Sequence, residues 1–318
     1  MARVKLFSGT ATNYLAEKIS DYYGEELSEI ELNRFSDGEI HPVIKTSVRG
    51  SSVFFIQSTF APSENLMELL LMIDAAKRAS AGYITAVIPY YGYARQDRKE
   101  QPRVPISSKL IANLLMAAGI NRIVTMDLHA DQIQGFFDIP VDHLKSEPIF
   151  FNYLSNQDMS NVTFASADVG GVKRARAFAN HFKTKLVICD KYREKANEVA
   201  GMVVIGDVEG ADVILIDDLV DTAGTLTKAA EAIMDKGARS VRAMCTHPVL
   251  SGPAYERIEN SAIEELIVCD TIPIKESASS KIRVLSTAKL FSKTIRSTVE
   301  NRSISALFDA IVSKKIKV

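Results

Sequence analysis

Cysteine is scarce, neither charge is in surplus, and no apolar stretch is long enough for a bilayer. Each shortage removes a class of protein. The 318-residue chain has 3 cysteines, Cys189, Cys245 and Cys269, each in or beside an apolar run. An odd, scattered set argues against a disulfide framework or a zinc cluster and for buried reduced thiols. Lys plus Arg number 38 against 39 for Asp plus Glu, so no global field favours nucleic acid or a membrane as partner. Anion chemistry must come from local clusters. The most apolar helical stretch, LMELLLMIDAAKRA, is interrupted by Glu68 and Asp74 and is too short to span a bilayer. No leader pattern opens the chain, MARVKLFSGT reading as a strand and a turn. A soluble, cytoplasmic protein is the expectation.

Alternating strands and helices fill the rest. SVFFIQS, ITAVIPYY and RIVTMDL read as strands in the first half, and VTFASAD, KLVICDK, DVILIDD, SVRAMCTHPV and ELIVCDTIP in the second. Between them, ENLMELLLMIDAAKRA, SSKLIANLLMAAG, GVKRARAFANHF and TLTKAAEAIMDKG carry apolar residues at helical spacing. Gly119 and Gly237 read as helix stops. This rhythm means βαβ units and parallel sheets with helices on both faces. A boundary falls near DHLKSEPIF, about residues 143–150, which divides the strands into two groups.

In open parallel sheets, ligands collect outside the carboxyl ends of the strands. That rule selects six stretches. In VILIDDLVDTAGT the strand VILI should end at Asp217 and Asp218, followed by Asp221, Thr222, Ala223, Gly224 and Thr225 before a helix. Ala223 and Gly224 should let the backbone curl, so that amides, threonine hydroxyls and the helix N-terminus face one phosphate. The carboxylates cannot touch that phosphate but can accept from hydroxyls beside it. A sugar phosphate satisfies both halves. An acidic cap on an ordinary turn is the plain alternative, and three acids around one loop count against it.

The other stretches are weaker alone. In MDLHADQIQGFF, His129 sits among Asp127 and Asp131, where a divalent cation could bind, although a lone histidine is more often structural. In ASADVGGVKRARAFA, Asp168 ends a strand, and Lys173, Arg174 and Arg176 crowd the following helix. This suits an anion or metal–phosphate site, or merely a solvated basic face. Lys191 and Arg193 leave a strand two residues apart and so point to one side. They read as cations on a flap whose return arm is GMVVIG, or as an ordinary charged hairpin. PYYGYARQDRKEQPRVP offers aromatic, Arg and Gln residues for a base or a neighbouring subunit, and RFSDGEIHP marks a turn with an aromatic and two acids.

Together, RFSDGE, YARQDRK, MDLHADQIQGFFDIPVDHL, DVGGVKRARAFA, GDVEG, ILIDDLVDTAGT and THPVLSGPA resemble the ribose-phosphate pyrophosphokinase family over essentially the whole chain. The resemblance implies an α/β protein of two doubly wound parallel-sheet domains of the phosphoribosyltransferase type. Residues 1–145, joined by a C-terminal segment near 290–318, would form the ATP side, and residues 146–290 the ribose 5-phosphate side. It implies Mg²⁺-dependent transfer of diphosphate from ATP to the C1 hydroxyl of ribose 5-phosphate, giving phosphoribosyl pyrophosphate and AMP. Lys191 and Arg193 would be catalytic. Phe35, Asp37, Gly38, Glu39, Arg95 and Gln96 would bind ATP, the last two from a neighbouring subunit. His129 and Asp168 would meet the metal. Arg193, Asp217, Asp218 and residues Asp221 through Thr225 would hold ribose 5-phosphate. A homohexamer is implied, with phosphate and ADP as effectors at Ser47, Arg49, Gln134, Asp142, Ser303 and Ser305.

Departures are few: Tyr192 stands where a basic residue is common, and ASAD where VSPD is common. Two other readings remain. A phosphoribosyltransferase consuming that product would share the acidic pair and loop but leave the first domain unexplained. A non-catalytic regulatory paralogue would not need to keep Lys191, Arg193, His129 and Asp168.

Overall fold

The computed structural model describes residues 3–192, 201–275 and 279–306. The chain divides into two compact units, residues 1–145 with 287–318, and residues 146–286.

The first unit contains β1 (Val4–Ser8), α1 (Asn13–Tyr23), a hairpin of β2 (Ile30–Arg34) and β3 (Ile40–Ile44), then β4 (Ser52–Ile56), α2 (Glu64–Arg78), β5 (Tyr83–Ile88), α3 (Ser107–Ala118), β6 (Arg122–Met126) and β7 (Val141–Leu144). Its parallel sheet runs β1-β4-β5-β6-β7. Strands covered on both faces read as continuous apolar runs. VFFI in β4 is such a run, buried throughout. Val53 and Phe55 pack with Leu69, Met72 and Ile73 of α2 and with Ile111 and Leu115 of α3. Helix α3 stops as expected: Gly119 takes φ +121 and its amide donates to the Leu115 carbonyl at 3.2 Å. Of the two acids interrupting α2, Asp74 pairs with Arg78 at 2.6 Å on the surface. Glu68 is buried, and it accepts from the Thr10 amide at 2.7 Å and from Gln57 Nε2 at 2.8 Å. A buried carboxylate needs such donors.

The second unit holds α4 (Glu147–Leu154), β8 (Val162–Ser166), α5 (Val172–Phe182), β9 (Lys185–Tyr192), β10 (Gly201–Ile205), β11 (Asp212–Val220), α6 (Gly224–Asp235), β12 (Ser240–Pro248), α7 (Ala254–Glu259), β13 (Ile263–Cys269) and β14 (Ile282–Leu285). The order β10-β9-β8-β11-β12-β13-β14 reverses direction between β8 and β11, which is a topological switch point. β9 and β10 pair antiparallel, with Lys191 opposite Met202. The three cysteines are buried and unbridged, and burial pushes the Cys189 thiol up to about 11. α8 (Ala288–Val299) then packs on α1 in the first unit, with Arg296 lying 4.7 Å from the centre of the Tyr23 ring.

Candidate active site

β8 and β11 pair from Asp212 opposite Val162 as far as Ile216 opposite Ser166. β11 does not stop there. It continues beside β12 until Val220 lies opposite Pro248. The sequence suggests a strand ending at the acids, but Asp217 and Asp218 lie inside a longer strand because β12 still offers backbone partners. They emerge at the step where β8 has ended, which opens one flank of β11.

Asp168 follows β8 on the other side of that step. Its Oδ1 accepts the Gly171 amide at 2.9 Å, and its carbonyl accepts the Ser166 hydroxyl at 2.6 Å. A Cβ on Gly171 would come within 2.7 Å of that hydroxyl, so the turn into α5 requires glycine. From α5, Arg174 reaches Asp218 at 3.3 Å. Of the basic residues crowding this helix, Arg174 is thus an acid's partner. Asp217 accepts the Asp218 amide at 2.8 Å. Burial above all, then the like charge of Asp218 and more weakly that of Asp168, pushes the Asp217 carboxyl well above the usual carboxylate range. Cys245, opposite Asp217, is pushed well up by burial and by the same two β11 acids, so its thiol stays neutral.

Beyond β11 the loop is pinned from the outside. The Ser251 hydroxyl donates to the Asp221 carboxylate, the Ser251 amide to the Asp221 carbonyl at 3.0 Å, and Arg257 Nη1 to the Thr222 carbonyl at 3.0 Å. The tight curl belongs to Ala223 (φ 60, ψ 0), not to Gly224. Gly224 serves close approach instead, since a Cβ there would sit 3.2 Å from Arg257 Nη1. Among the described residues no side chain caps α6, so its first-turn amides keep donors of the kind that can meet an anion. Thr222 and Thr225 are exposed beside them.

The first unit carries the other candidates. Between β2 and β3, Phe35 donates its amide to the Glu39 carbonyl at 2.9 Å, and Asp37 Oδ1 accepts the Glu39 amide at 3.1 Å. Gly38 takes φ +97, a left-handed position suited to glycine. Phe35 is 53% exposed and stacks on His41 at 4.8 Å. Arg95 is exposed, while Gln96 Oε1 accepts the Ser107 hydroxyl at 2.6 Å at the start of α3. His129 lies in the turn after β6, where Asp127 takes φ +36. Asp131, suggested beside His129 as part of a cation site, pairs with Lys145 at 2.6 Å.

Lys191 is the penultimate residue of β9, and Arg193 lies outside the described residues. Ser47 and Arg49 are exposed, with Arg49 donating to Ser80 at 3.3 Å. Gln134 donates to the Asp131 carbonyl at 2.8 Å, Asp142 pairs with Arg122 at 2.6 Å, and the Ser303 and Ser305 hydroxyls lie 3.3 Å apart. Among the described residues, no three His, Cys, Asp or Glu side chains form a metal cage. The sequence reading missed the partners that hold these residues: Arg257, Ser251, His143 and Lys145. DHLKSEP, which contains the last two, reads as a boundary and as the end of the motif MDLHADQIQGFFDIPVDHL, with a role given to Asp142 but none to His143 or Lys145.

The class so defined is a two-unit α/β protein with parallel sheets of the phosphoribosyltransferase type, its acids and the loop after them set at a switch point. Residues 4–119 match the N-terminal domain of ribose phosphate pyrophosphokinase, and residues 193–309 match the phosphoribosyl synthetase-associated domain. A ribose-phosphate pyrophosphokinase of Wolinella succinogenes is 56% identical over 97% of this chain and 100% of its own length. One from Porphyromonas gingivalis is 54% identical over 95% of this chain and 97% of its own. The crystal structure of phosphoribosylpyrophosphate synthetase from Mycobacterium smegmatis superposes with a TM-score of 0.89 at 40% identity, covering 94% of this chain and 99% of that one. The chain belongs to the ribose-phosphate pyrophosphokinase family.

Proposed function

We propose that the chain transfers the β,γ-diphosphoryl group of ATP to the C1 hydroxyl of ribose 5-phosphate with Mg²⁺, releasing AMP and phosphoribosyl pyrophosphate. One observation carries this reading: the acid pair of β11 and the uncapped N-terminus of α6 sit a few residues apart at the switch point. The 5-phosphate takes the amides of residues 223–225, and the ribose hydroxyls donate to Asp217. The C1 oxygen attacks the β-phosphorus of ATP, and the bond from that phosphorus to the α-phosphate oxygen breaks.

Mg²⁺ suits the donors present. It binds through one or two carboxylates plus substrate phosphates rather than through an all-protein cage. His129 and Asp168 are the residues assigned to it, and the mutual repulsion of Asp168, Asp217 and Asp218 favours a cation nearby. When bound, it neutralises charge on the phosphate oxygens. Lys191 and Arg193 add positive charge where negative charge builds on the departing AMP oxygen. Phe35 stacks on the adenine, Asp37, Gly38 and Glu39 line its turn, and Arg95 and Gln96 complete the nucleotide site from a neighbouring subunit of a homohexamer.

Phosphate and ADP act as effectors at Ser47, Arg49, Gln134, Asp142, Ser303 and Ser305. The enzyme works in the cytoplasm; among the described residues, no helix is long and apolar enough to cross a membrane. Phosphorus NMR of the purified protein with ATP, ribose 5-phosphate and Mg²⁺ tests the reaction. AMP and a C1 diphosphate should appear together. Their absence, with turnover of phosphoribosyl pyrophosphate and a nucleobase instead, would make the chain a phosphoribosyltransferase.

A further inference from the structure

The turn bearing His129 leaves β6 through Asp127, whose φ of +36 lies in the left-handed region. A non-glycine residue persists there only when its surroundings hold it. The holding segment is a single piece of chain at the end of β7. The Asp127 amide donates to the Leu144 carbonyl at 3.0 Å. The Leu128 amide donates to His143 Nε2 at 2.9 Å. On the far side of His129, Asp131 Oδ1 lies 2.6 Å from Lys145 Nζ and 3.7 Å from His143 Nδ1. Residues 143–145 therefore grip the chain on both sides of His129.

The imidazole has a defined form here. Its Nε2 accepts an amide proton, so a neutral ring carries its own proton on Nδ1, the nitrogen facing Asp131. The ring is nearly sealed, its side chain being 4% exposed.

We propose that His143 is a positioning residue. Its Nε2 fixes the Leu128 amide and thereby sets the direction of His129 towards the metal–nucleotide complex. This rests on the reading that His129 faces that complex. The chemistry asks for an acceptor at the reach of Nε2. Glutamine places its amide oxygen at about that reach, asparagine falls short, and leucine fills the volume without an acceptor.

The test compares His143→Gln, His143→Asn and His143→Leu in the full-length protein. Calorimetry reads ATP binding in Mg²⁺, and steady-state rates read KM for each substrate. Partners that orient a metal-facing histidine change affinity by about 10- to 100-fold when removed. His143→Leu and His143→Asn should weaken Mg-ATP binding by that factor and raise the KM for ATP in parallel. The KM for ribose 5-phosphate should stay within about twofold, because that ligand binds the other unit. His143→Gln should bind like the parent. Wild-type affinity in the folded leucine or asparagine variants would overturn the proposal, and so would an equal loss in His143→Gln. If the leucine variant does not fold, the asparagine–glutamine pair decides. If the parent itself makes no AMP from ATP and ribose 5-phosphate, the functional reading fails instead.

Discussion

On the β11 side, Asp218 is buried and paired with Arg174, Ala223 sits in a left-handed turn, and Ser251 and Arg257 hold the loop from behind. On the β2–β3 side, Phe35 stands 53% exposed with its ring against His41, and the turn is held by its own backbone. The two differ in where their order comes from. The first is assembled by the packed interior of one unit and is charged and strained before any ligand arrives. The second is a preformed but open turn, which the proposed function assigns to the adenine of ATP. On the proposed function, a chain that needs both a sugar phosphate and a nucleotide would thus keep a rigid acceptor side and an open donor side.

The largest effect should come from neither region but from Lys191, the cation proposed to be catalytic. Lys191 lies one residue before the end of β9, opposite Met202. Replacing it with alanine should lower kcat by about 10²–10³, or roughly 2.7–4 kcal/mol of barrier, by analogy with lost oxyanion donors. The KM for ribose 5-phosphate should move far less. A variant with near-normal kcat would show that positioning alone carries the reaction.

Phe35→Ala probes the open side. Stacking of a base on an aromatic ring contributes about 1–3 kcal/mol, so ATP binding should weaken about 5- to 150-fold. Because the ring is 53% exposed, thermal stability should move by less than about 0.5 kcal/mol. Loss of stability together with affinity would mean that the open side is also held by packing.

Asp217→Asn probes the closed side, and its two effects should point in opposite directions. Hydrogen bonds to a charged acceptor contribute about 1.5–3 kcal/mol, so the KM for ribose 5-phosphate should rise about tenfold or more. Stability without substrates, measured with a chelator, should increase. Burial and the like charge of Asp218 raise the folded Asp217 pKa above the unfolded value of about 3.9. Above its raised pKa, ionised Asp217 burdens the fold, and the asparagine variant escapes that burden. As pH falls through the raised pKa, the wild type takes up its proton and the advantage shrinks, levelling off below about 3.9. Equal melting temperatures at pH 8 would mean that the acids are already relaxed, which would erase the contrast between the two sides.

How far these sites could be read from sequence follows from the range of each interaction. Asp168, Asp217, Asp218 and the loop after them were legible because strand ends and helix starts are local patterns. So was the turn from Phe35 to Glu39. Their supports were not. His143 is 15 residues from Leu128 and Ser251 is 30 from Asp221, and Arg174 meets Asp218 only because the sheet reverses its order between β8 and β11. The helix α1 went unmarked for a similar reason. Its buried stripe, Leu15, Ile19 and Tyr23, is thin and interrupted by charges, and it is covered by α8 from the far end of the chain. Strands β2 and β14 are short and leave exposed positions along their length, so they lack the apolar run that marks β4 or β11.

The smallest expected effect tests whether the strain at Ala223 matters. Relief of a left-handed alanine should favour glycine by about 1–2 kcal/mol. Glycine's extra freedom in the unfolded chain opposes this by about 0.4–1 kcal/mol. Ala223 is 4% exposed, so loss of its methyl removes about 0.8 kcal/mol more. The terms nearly cancel, so Ala223→Gly should melt within about 4 °C of the wild type. Binding should still suffer, because the loop becomes freer before the phosphate arrives. The same 0.4–1 kcal/mol corresponds to about a two- to fivefold rise in the KM for ribose 5-phosphate. An unchanged KM would mean that the phosphate orders this loop itself, and the closed side would then resemble the open one more than its packing suggests.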